Sequence, residues 1–334
     1  MAGPTVKVGQ VGDPERFTPL WAAYYRFGPP RWEPWLRRSG AGRKLVIGIP
    51  LVWLCLFFLA PFFIDFKISF SETRLAMPPY APLLEWGPDH ALSFHLHLAN
   101  YRFLLSDALY VSSYLYSLKV ALISTLLCLL LGYPMAYGIA RATPTARNLM
   151  LMLVILPFWT SFLLRVYAWK GILADQGVVN RLLMATGLLT EPVQLLYNDF
   201  SMLIGMIYVY LPFMVLPLYA NLVKADIRLV EAAQDLGASA WKTFWLVTVP
   251  LSRSGIVAGS ILVFIPCLGE FVIPSLLGGA DNIMIGRVVW DEMFSSNNWP
   301  RASALSISMI VLVIAPLSWF NQRVARKAAA EQVR

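Results

Sequence analysis

Two stretches of this 334-residue sequence hold charge where it could act. The first runs from Glu231 to Pro250, between long apolar runs. It reads Glu231-Ala232-Ala233, Gln234-Asp235-Leu236-Gly237, then Ala238-Ser239-Ala240. Asp226 can cap a helix that starts near Ile227, Glu231 and Asp235 share a face at i, i+4, and Gly237 suits a left-handed turn. A second helix then runs from Ala238 through Leu246. Such a helix–turn–helix presents small side chains and a few charges, a shape suited to a groove on a partner, although an ordinary amphipathic loop fits the periodicity equally. The second feature is Glu270, an acid inside an otherwise uncharged run. A carboxylate at membrane depth costs several kcal/mol unless it is paired, protonated or facing water. In a pathway for cations it supplies a transient counter-charge; otherwise it is a buried ion pair or a hydrogen bond to a neighbouring helix. Trp159, Tyr208, Tyr210 and Phe271 could add cation–π surface, or simply pack.

Other chemistries find no support in the residues. There is no Gly-x-x-x-x-Gly-Lys-Ser/Thr phosphate loop, so no Walker-type ATP site is expected. No Ser-His-Asp or Cys-His arrangement suggests catalysis, and the chain reads as a non-enzyme. His90, His95 and His97 all fall in one external loop; His95-x-His97 on a strand would face one way, but two ring nitrogens without a nearby Cys make a poor metal site. Cys55, Cys128 and Cys267 lie in apolar runs and read as buried small hydrophobes. No metal and no cofactor are expected.

The elements that must position these groups follow from composition. Hydrophobic residues make up 58% of the chain and charged ones 14%, too apolar for a soluble domain. The excess is concentrated in six runs long enough, or nearly so, to cross a bilayer as helix: 45–64, 120–140, 148–164 (extended to 169), 200–223, 254–269 (continued to 280) and 302–322. The expected fold is therefore all-α, a polytopic membrane protein with six transmembrane helices. Of the 27 Lys and Arg residues, eighteen fall in the first 44 residues, in 141–147, in 224–253 and after 322. The positive-inside rule then puts both termini and the Glu231 loop in the cytoplasm. The net charge of +8 is thus a topology signal, and nucleic acid is not an expected partner.

Residues 1–43 read as a cytoplasmic tail and not a cleaved signal peptide, 44–323 as the membrane domain with its loop at 224–253, and 324–334 as a second tail. Prolines within the spans, such as Pro134, Pro157, Pro212, Pro217, Pro266 and Pro274, predict kinks or breaks. The external segment 65–111 reads as mostly irregular, and 281–301 as holding a short amphipathic helix along the outer surface.

Glu231-Ala232-Ala233, Gly237 and then Val247-x-Val249-Pro250 resemble the cytoplasmic signature of ABC-importer permeases, EAA…G…I-LP, with Val at the Ile and Leu positions. Leu156-Pro157-Phe158-Trp159-Thr160, the segment from Tyr208 to Pro217, and Asn298-Trp299-Pro300 resemble the spermidine/putrescine permease group. Phe264-Ile265-Pro266, Gly269-Glu270-Phe271-Val272-Ile273-Pro274 and Leu277-Gly278-Gly279 look most like its putrescine-type first permease. The resemblance implies a type I ABC-importer permease fold in a bacterial inner membrane. It implies that Glu231, Ala232, Ala233, Leu236, Gly237, Ala238, Ser239 and Ala240 form a coupling element seated on an ATPase. Implied partners are two copies of that ATP-binding subunit, a second related permease and a periplasmic polyamine-binding protein. The implied cargo is a polyamine, putrescine foremost, with spermidine, another small cation or an organic solute as alternatives. A carrier driven by an ion gradient through Glu270 is the rival, and the lone intramembrane acid and lack of an obvious inverted repeat count against it.

Overall fold

A computed structural model describes residues 41–86, 92–94, 96–280 and 283–332. Most of the expected tail at 1–43, the last two residues of the chain, and His90 and His95 lie outside the described residues. In a bilayer every backbone N–H and C=O must be satisfied within the chain, and the apolar runs are accordingly helical.

The chain divides into two units, 1–65 and 66–334. In the first, α1 (Ala41–Leu54) passes through a π-helical turn, Cys55–Leu59, straight into α2 (Ala60–Ser69). The result is an apolar helix of 26 residues from Lys44 to Ser69, long enough to cross a membrane. Its side chains, Val46, Trp53 and Phe58 among them, are exposed. So is Cys55, contrary to its reading as a buried hydrophobe, because this helix has no core of its own among the described residues.

In the second unit, β1 (Leu84–Trp86) pairs antiparallel with β2 (Leu92–Phe94), Leu84 opposite Phe94. Next come α3 (Ala99–Ser106) and α4 (Ala108–Arg141). The stretch 65–111 is therefore more ordered than its prolines suggest, and it adds a small ladder to an otherwise helical fold. Two side chains explain the order. Asn100 Nδ2 donates to the carbonyls of Ser69 and Ser71, each at 3.0 Å. Asp107 accepts from Leu109 N at 2.9 Å and starts α4 well before the apolar run at residue 120.

The remaining helices are α5 (Pro144–Ile155), α6 (Phe162–Leu173), α7 (Val178–Ala185), α8 (Asp199–Leu222), α9 (Ile227–Asp235), α10 (Ala240–Thr243), α11 (Val249–Leu251), α12 (Arg253–Leu268), α13 (Val272–Leu277), α14 (Ile285–Trp290) and α15 (Trp299–Gln332). Four helices are long and apolar enough to span alone, and six spans result if two bent pairs each count as one. One pair bends by 94° after the 3₁₀ turn Leu156–Trp159; the other, around Ser252, bends by 66°. The bends fall beside Pro157 and just after Pro250, whereas Pro134, Pro212 and Pro217 stand inside unbroken α4 and α8. The apolar run read through to residue 280 is interrupted at Gly269, Glu270 and Phe271.

The core is α4, α8 and α12 packed together. Gly255 and Gly259, four apart on α12, let that helix lie on the α8 backbone. A Cβ at Gly255 would sit 2.8 Å from Asn221 Cβ and 3.2 Å from Leu218 Cα, and one at Gly259 2.8 Å from Met214 Sδ. Small residues at this spacing are how membrane helices gain close packing where hydrophobicity gives no preference for protein over lipid. Cys128 and Cys267 are fully buried here, as their surroundings imply. A second cluster joins Leu104, Tyr110, Ile285, Val288, Ala304 and Leu305. It draws α14 inward, with Ile285 N donating to Ser117 Oγ at 2.7 Å, so this helix does not lie along the outer surface as the sequence suggested.

Overpacking a helix contact costs about 1–3 kcal/mol. Gly259→Leu should therefore lower the thermal unfolding midpoint of the detergent-purified chain, while Gly48→Leu, with open space at its Cβ, should leave it in place. An unmoved midpoint for Gly259→Leu would refute close packing at this contact.

Candidate functional site

The loop 224–253 folds as the residues dictate. Asp226 Oδ1 accepts from Arg228 N at 3.0 Å and opens α9. The helix closes with Gly237 N donating to Gln234 O at 2.8 Å and Ala238 N to Ala233 O at 3.0 Å. Gly237 has φ of 85°, the left-handed region that a Cβ disfavours. Ser239 Oγ accepts from Lys242 N at 3.4 Å and starts α10, which continues through a π-helical turn, Phe244–Thr248, to α11. Glu231, Ala232, Leu236, Gly237, Ser239 and Ala240 are exposed, and Ala233 and Ala238 are half-buried. Leu236 is 89% exposed, an apolar side chain with nothing of its own chain to cover it. Trp241 and Trp245 extend this surface, exposed and edge-to-face at 5.8 Å. The sequence reading stopped at Ala240, although their i, i+4 spacing places both on one face.

The second site is the break between α12 and α13. Glu270 is half-buried there. Its Oε1 accepts from Val272 N at 3.0 Å and Ile273 N at 3.4 Å, and Tyr210 Oη donates to Oε2 at 2.5 Å. The carboxylate thus caps α13, and its negative charge faces the positive end of that helix. Tyr210 comes from α8, which packs on both α12 and α13. Its ring lies 6.2 Å from that of Phe213, which meets Phe158 edge-on at 5.1 Å. Phe271 stacks on Trp290 at 4.6 Å, and Trp290 lies 4.2 Å from Phe294.

Of the five candidate pathway residues, three converge at this break: Glu270, its donor Tyr210, and Phe271 beside it. Tyr208 packs elsewhere, edge-to-face on Trp169 at 5.5 Å. It lines an apolar cavity of about 500 Å³ together with Met135, Leu153, Pro157 and Pro212. No charged residue lines that cavity, so it is separate from the acid. Trp159 stands at the 3₁₀ turn and is 77% exposed. Phe213, one turn from Tyr210, was open to detection by helical spacing. Trp290 stacks on Phe271 from another element, and no local pattern announces it. Among the described residues no group of three His, Cys, Asp or Glu could hold a metal, and His97 lies 3.7 Å from Glu72.

Spanning helices with two sharp bends, a packed three-helix core and an exposed polar helix–turn–helix define an all-helical polytopic membrane protein. The profile of the family described as binding-protein-dependent transport system inner membrane component matches residues 44–329, and the chain belongs to that family. It is similar to the spermidine/putrescine transport system permease protein PotB of Haemophilus influenzae, at 39% identity over 81% of this chain and 90% of that protein. It is likewise similar to PotB of Escherichia coli, at 42% identity over 65% of this chain and 78% of that one. The fold matches a chain in the crystal structure of a bacterial ABC transporter involved in import of the acidic polysaccharide alginate. That match has a TM-score of 0.61 at 19% identity, over 89% of this chain and 99% of the other. The chain is therefore the permease subunit of a binding-protein-dependent ABC importer, multi-pass in the inner membrane and not itself catalytic. Membership implies an ATPase and a substrate-binding protein as partners.

Removing a buried donor leaves its acceptor unsatisfied at about 1–3 kcal/mol. Tyr210→Phe should lower the thermal midpoint of the purified chain, and the loss should shrink in a Glu270→Gln background. Equal losses in both backgrounds would show that the hydroxyl contributes nothing through Glu270.

Proposed function

We propose that this permease imports a polyamine, with putrescine as the preferred cargo, through a pathway that passes Glu270. The observation that carries the reading is a carboxylate held by Tyr210 and two amides at a helix break inside a membrane domain. A fixed, partly exposed anion at that depth is costly and suits a cationic cargo. The names of the relatives, spermidine/putrescine permeases at about two-fifths identity, support the same class of cargo. Phe271 and Tyr210 add ring faces beside the acid, on which an ammonium is worth about 0.5–2 kcal/mol.

In this reading both termini are cytoplasmic, and 1–43 and 324–334 are tails of the membrane domain 44–323. The exposed surface formed by Glu231, Ala232, Ala233, Leu236, Gly237, Ala238, Ser239 and Ala240, extended by Trp241 and Trp245, seats on the ATPase. One chain supplies one coupling element, so two ATPase subunits call for a second, related permease. Closure of the ATPases on ATP pushes α10 and reorients the spans, and the binding protein delivers the polyamine to the opposite face.

Two substitutions test the two halves of this proposal. In Gly237→Val the new side chain opposes the left-handed turn by about 1–2 kcal/mol and re-aims α10. ATP-driven uptake should fall by an order of magnitude or more, with membrane insertion intact; undiminished uptake would remove the coupling role. Glu270→Gln keeps the size of the side chain and removes its charge. Uptake of labelled putrescine in cells carrying the full importer should fall by about tenfold, the equivalent of 1.4 kcal/mol, with assembly unchanged. An unaltered rate would retire Glu270 as a pathway residue.

A further inference from the structure

A second charge lies within the membrane domain and has no role in the account above. Arg165, in the first turn of α6, is 8% exposed, and its Nε and Nη1 are buried without a hydrogen-bond partner. The guanidinium carbon sits 5.3 Å over the Phe158 ring and 6.0 Å over Phe162. The position is unfavourable three times over. An unpaired cation at this depth costs several kcal/mol, and two aromatic faces return only about 0.5–2 kcal/mol each. Arg165 also follows directly on the N-terminus of α6, where the helix dipole opposes positive charge and Ser161 makes no side-chain cap. A guanidinium left with two unpaired nitrogens among the described residues gains strongly from any state of the protein that brings an anion to it.

An anion at the start of a helix packed against α6 is Glu270. Helix α13, which Glu270 caps, packs on α6, and both pack on α8. The two charges approach the same aromatic set from opposite ends, Arg165 on Phe158, then Phe213, then Tyr210, which holds Glu270. Each sits where a helix of the membrane domain is interrupted, Arg165 just past the 94° bend and Glu270 between α12 and α13. They differ in freedom. A Cβ on Gly286 would lie 2.4 Å from Gly269 O and 2.8 Å from Glu270 O, so the backbone at Glu270 is clamped by the chain entering α14. Arg165 has a long side chain on a helix that begins at a 94° bend. The moving partner is the arginine.

We infer that Arg165 is the internal competitor of the cargo for Glu270, a residue that pairs with the carboxylate in one state of the transport cycle and is parted from it in the other. The described arrangement is the parted state, with the acid open to a cationic cargo. When α6 reorients, the guanidinium takes over the carboxylate and expels the ammonium, which makes release part of the conformational change. A site that binds in one state must be weakened in the other for net transport, and a tethered cation does so without removing the acid. The inference rests on the pathway role proposed for Glu270.

The test is a double-mutant cycle on labelled putrescine uptake by the full importer, with membrane abundance measured for each variant. Arg165→Gln should lower uptake by about tenfold, as expected when one partner of a buried pair is removed. Arg165→Lys, which keeps the charge but loses the planar fork stacked on Phe158, should fall clearly less than Arg165→Gln. Arg165→Gln/Glu270→Gln should be no slower than the slower single variant, because neither charge is then orphaned. Losses that multiply in the double variant, or an Arg165→Lys as impaired as Arg165→Gln, would overturn the pairing. If Arg165→Gln fails to accumulate, cross-linking decides. R165C/E270C, built with Cys55, Cys128 and Cys267 replaced by alanine, should be joined by a short-spaced bifunctional thiol reagent, since an arginine–glutamate pair holds its Cα atoms farther apart than a disulfide spans, in only one of the nucleotide-free and ATP-bound complexes. A cross-link in neither, or equally in both, would overturn it. Normal uptake by Glu270→Gln would remove the pathway reading and this inference together. An impaired Glu270→Gln with multiplying losses would remove this inference alone.

Discussion

Within the hydrocarbon of a bilayer no water is present to take up a bare amide, and every backbone group in a spanning segment must find its partner in the protein. Wherever a helix of this chain stops short inside the membrane domain, a side chain or a tight turn has to repair the ladder. At Gly269, Glu270 and Phe271 the repair is made by Glu270, whose Oε1 takes the amides of Val272 and Ile273. At the other break the 3₁₀ turn closes on itself, with Thr160 N donating to Pro157 O at 3.3 Å. The acid is therefore not only a charge in an apolar run. Its negative end is matched to the start of α13, which offsets part of the cost of keeping it there. Structural and pathway readings of Glu270 do not exclude each other, since the cap fixes the carboxylate in place and leaves its charge uncancelled.

The same constraint shapes the packing. Helices already satisfied internally gain little by leaving lipid for protein, so association depends on close fit. Gly255 and Gly259 provide it, bringing α12 onto the backbone of α8 at Met214 and Leu218. Met206 and Met214 are fully buried in this region, unbranched side chains that fill an irregular seam. Some polar groups in the core are tied down individually. Ser201 Oγ donates to Leu277 O at 2.7 Å, and Tyr133 Oη and Ser252 Oγ meet at 2.9 Å.

Much of this was legible in the residues, because hydrocarbon thickness leaves a plain mark on sequence. The apolar runs located the spanning helices, and Asp226 and Gly237 located the turns of the polar loop, since caps and left-handed glycines act on near neighbours; the Ser239 cap, which starts the second helix at Ala240 and not at Ala238, was not read. Helix ends set by polar residues were harder to place. Asp107 extends α4 far beyond its apolar run, and Asn100 orders a segment whose prolines suggested irregular chain. Contacts between distant residues were not legible at all. The sequence offered Glu270 and Tyr210 as separate candidates, and only the packing of α8 on α12 brings Tyr210 to the acid. Arg165 fell among the basic residues of the outer face in the charge count, because its significance lies in long-range packing, which no periodicity records. Ile285 and Val288 look amphipathic from spacing, yet the hydroxyl of Ser117 and the second apolar cluster hold α14 inward.

A bent run of helix connects the two proposed sites. Beyond Gly237 the chain runs through α10, its π-helical turn and α11, bends at Ser252, and enters α12, whose far end is the break that holds Glu270. A push received at the polar loop in the proposed mechanism therefore passes the 66° bend at Ser252 and then reaches Glu270 along the 16 residues of α12. The glycine contact decides what that push can do. With backbone against backbone, α12 cannot rock away from α8 without losing the contact, but it can slide along a surface with few side chains to interlock. Tyr210 rides on α8 and Glu270 on the end of α12, so a slide of about one or two ångströms, common for packed helices, exceeds the tolerance of a hydrogen bond. Movement at the cytoplasmic loop would then be read at the acid as loss of the tyrosine, freeing the carboxylate for whichever cation, cargo or arginine, that state presents.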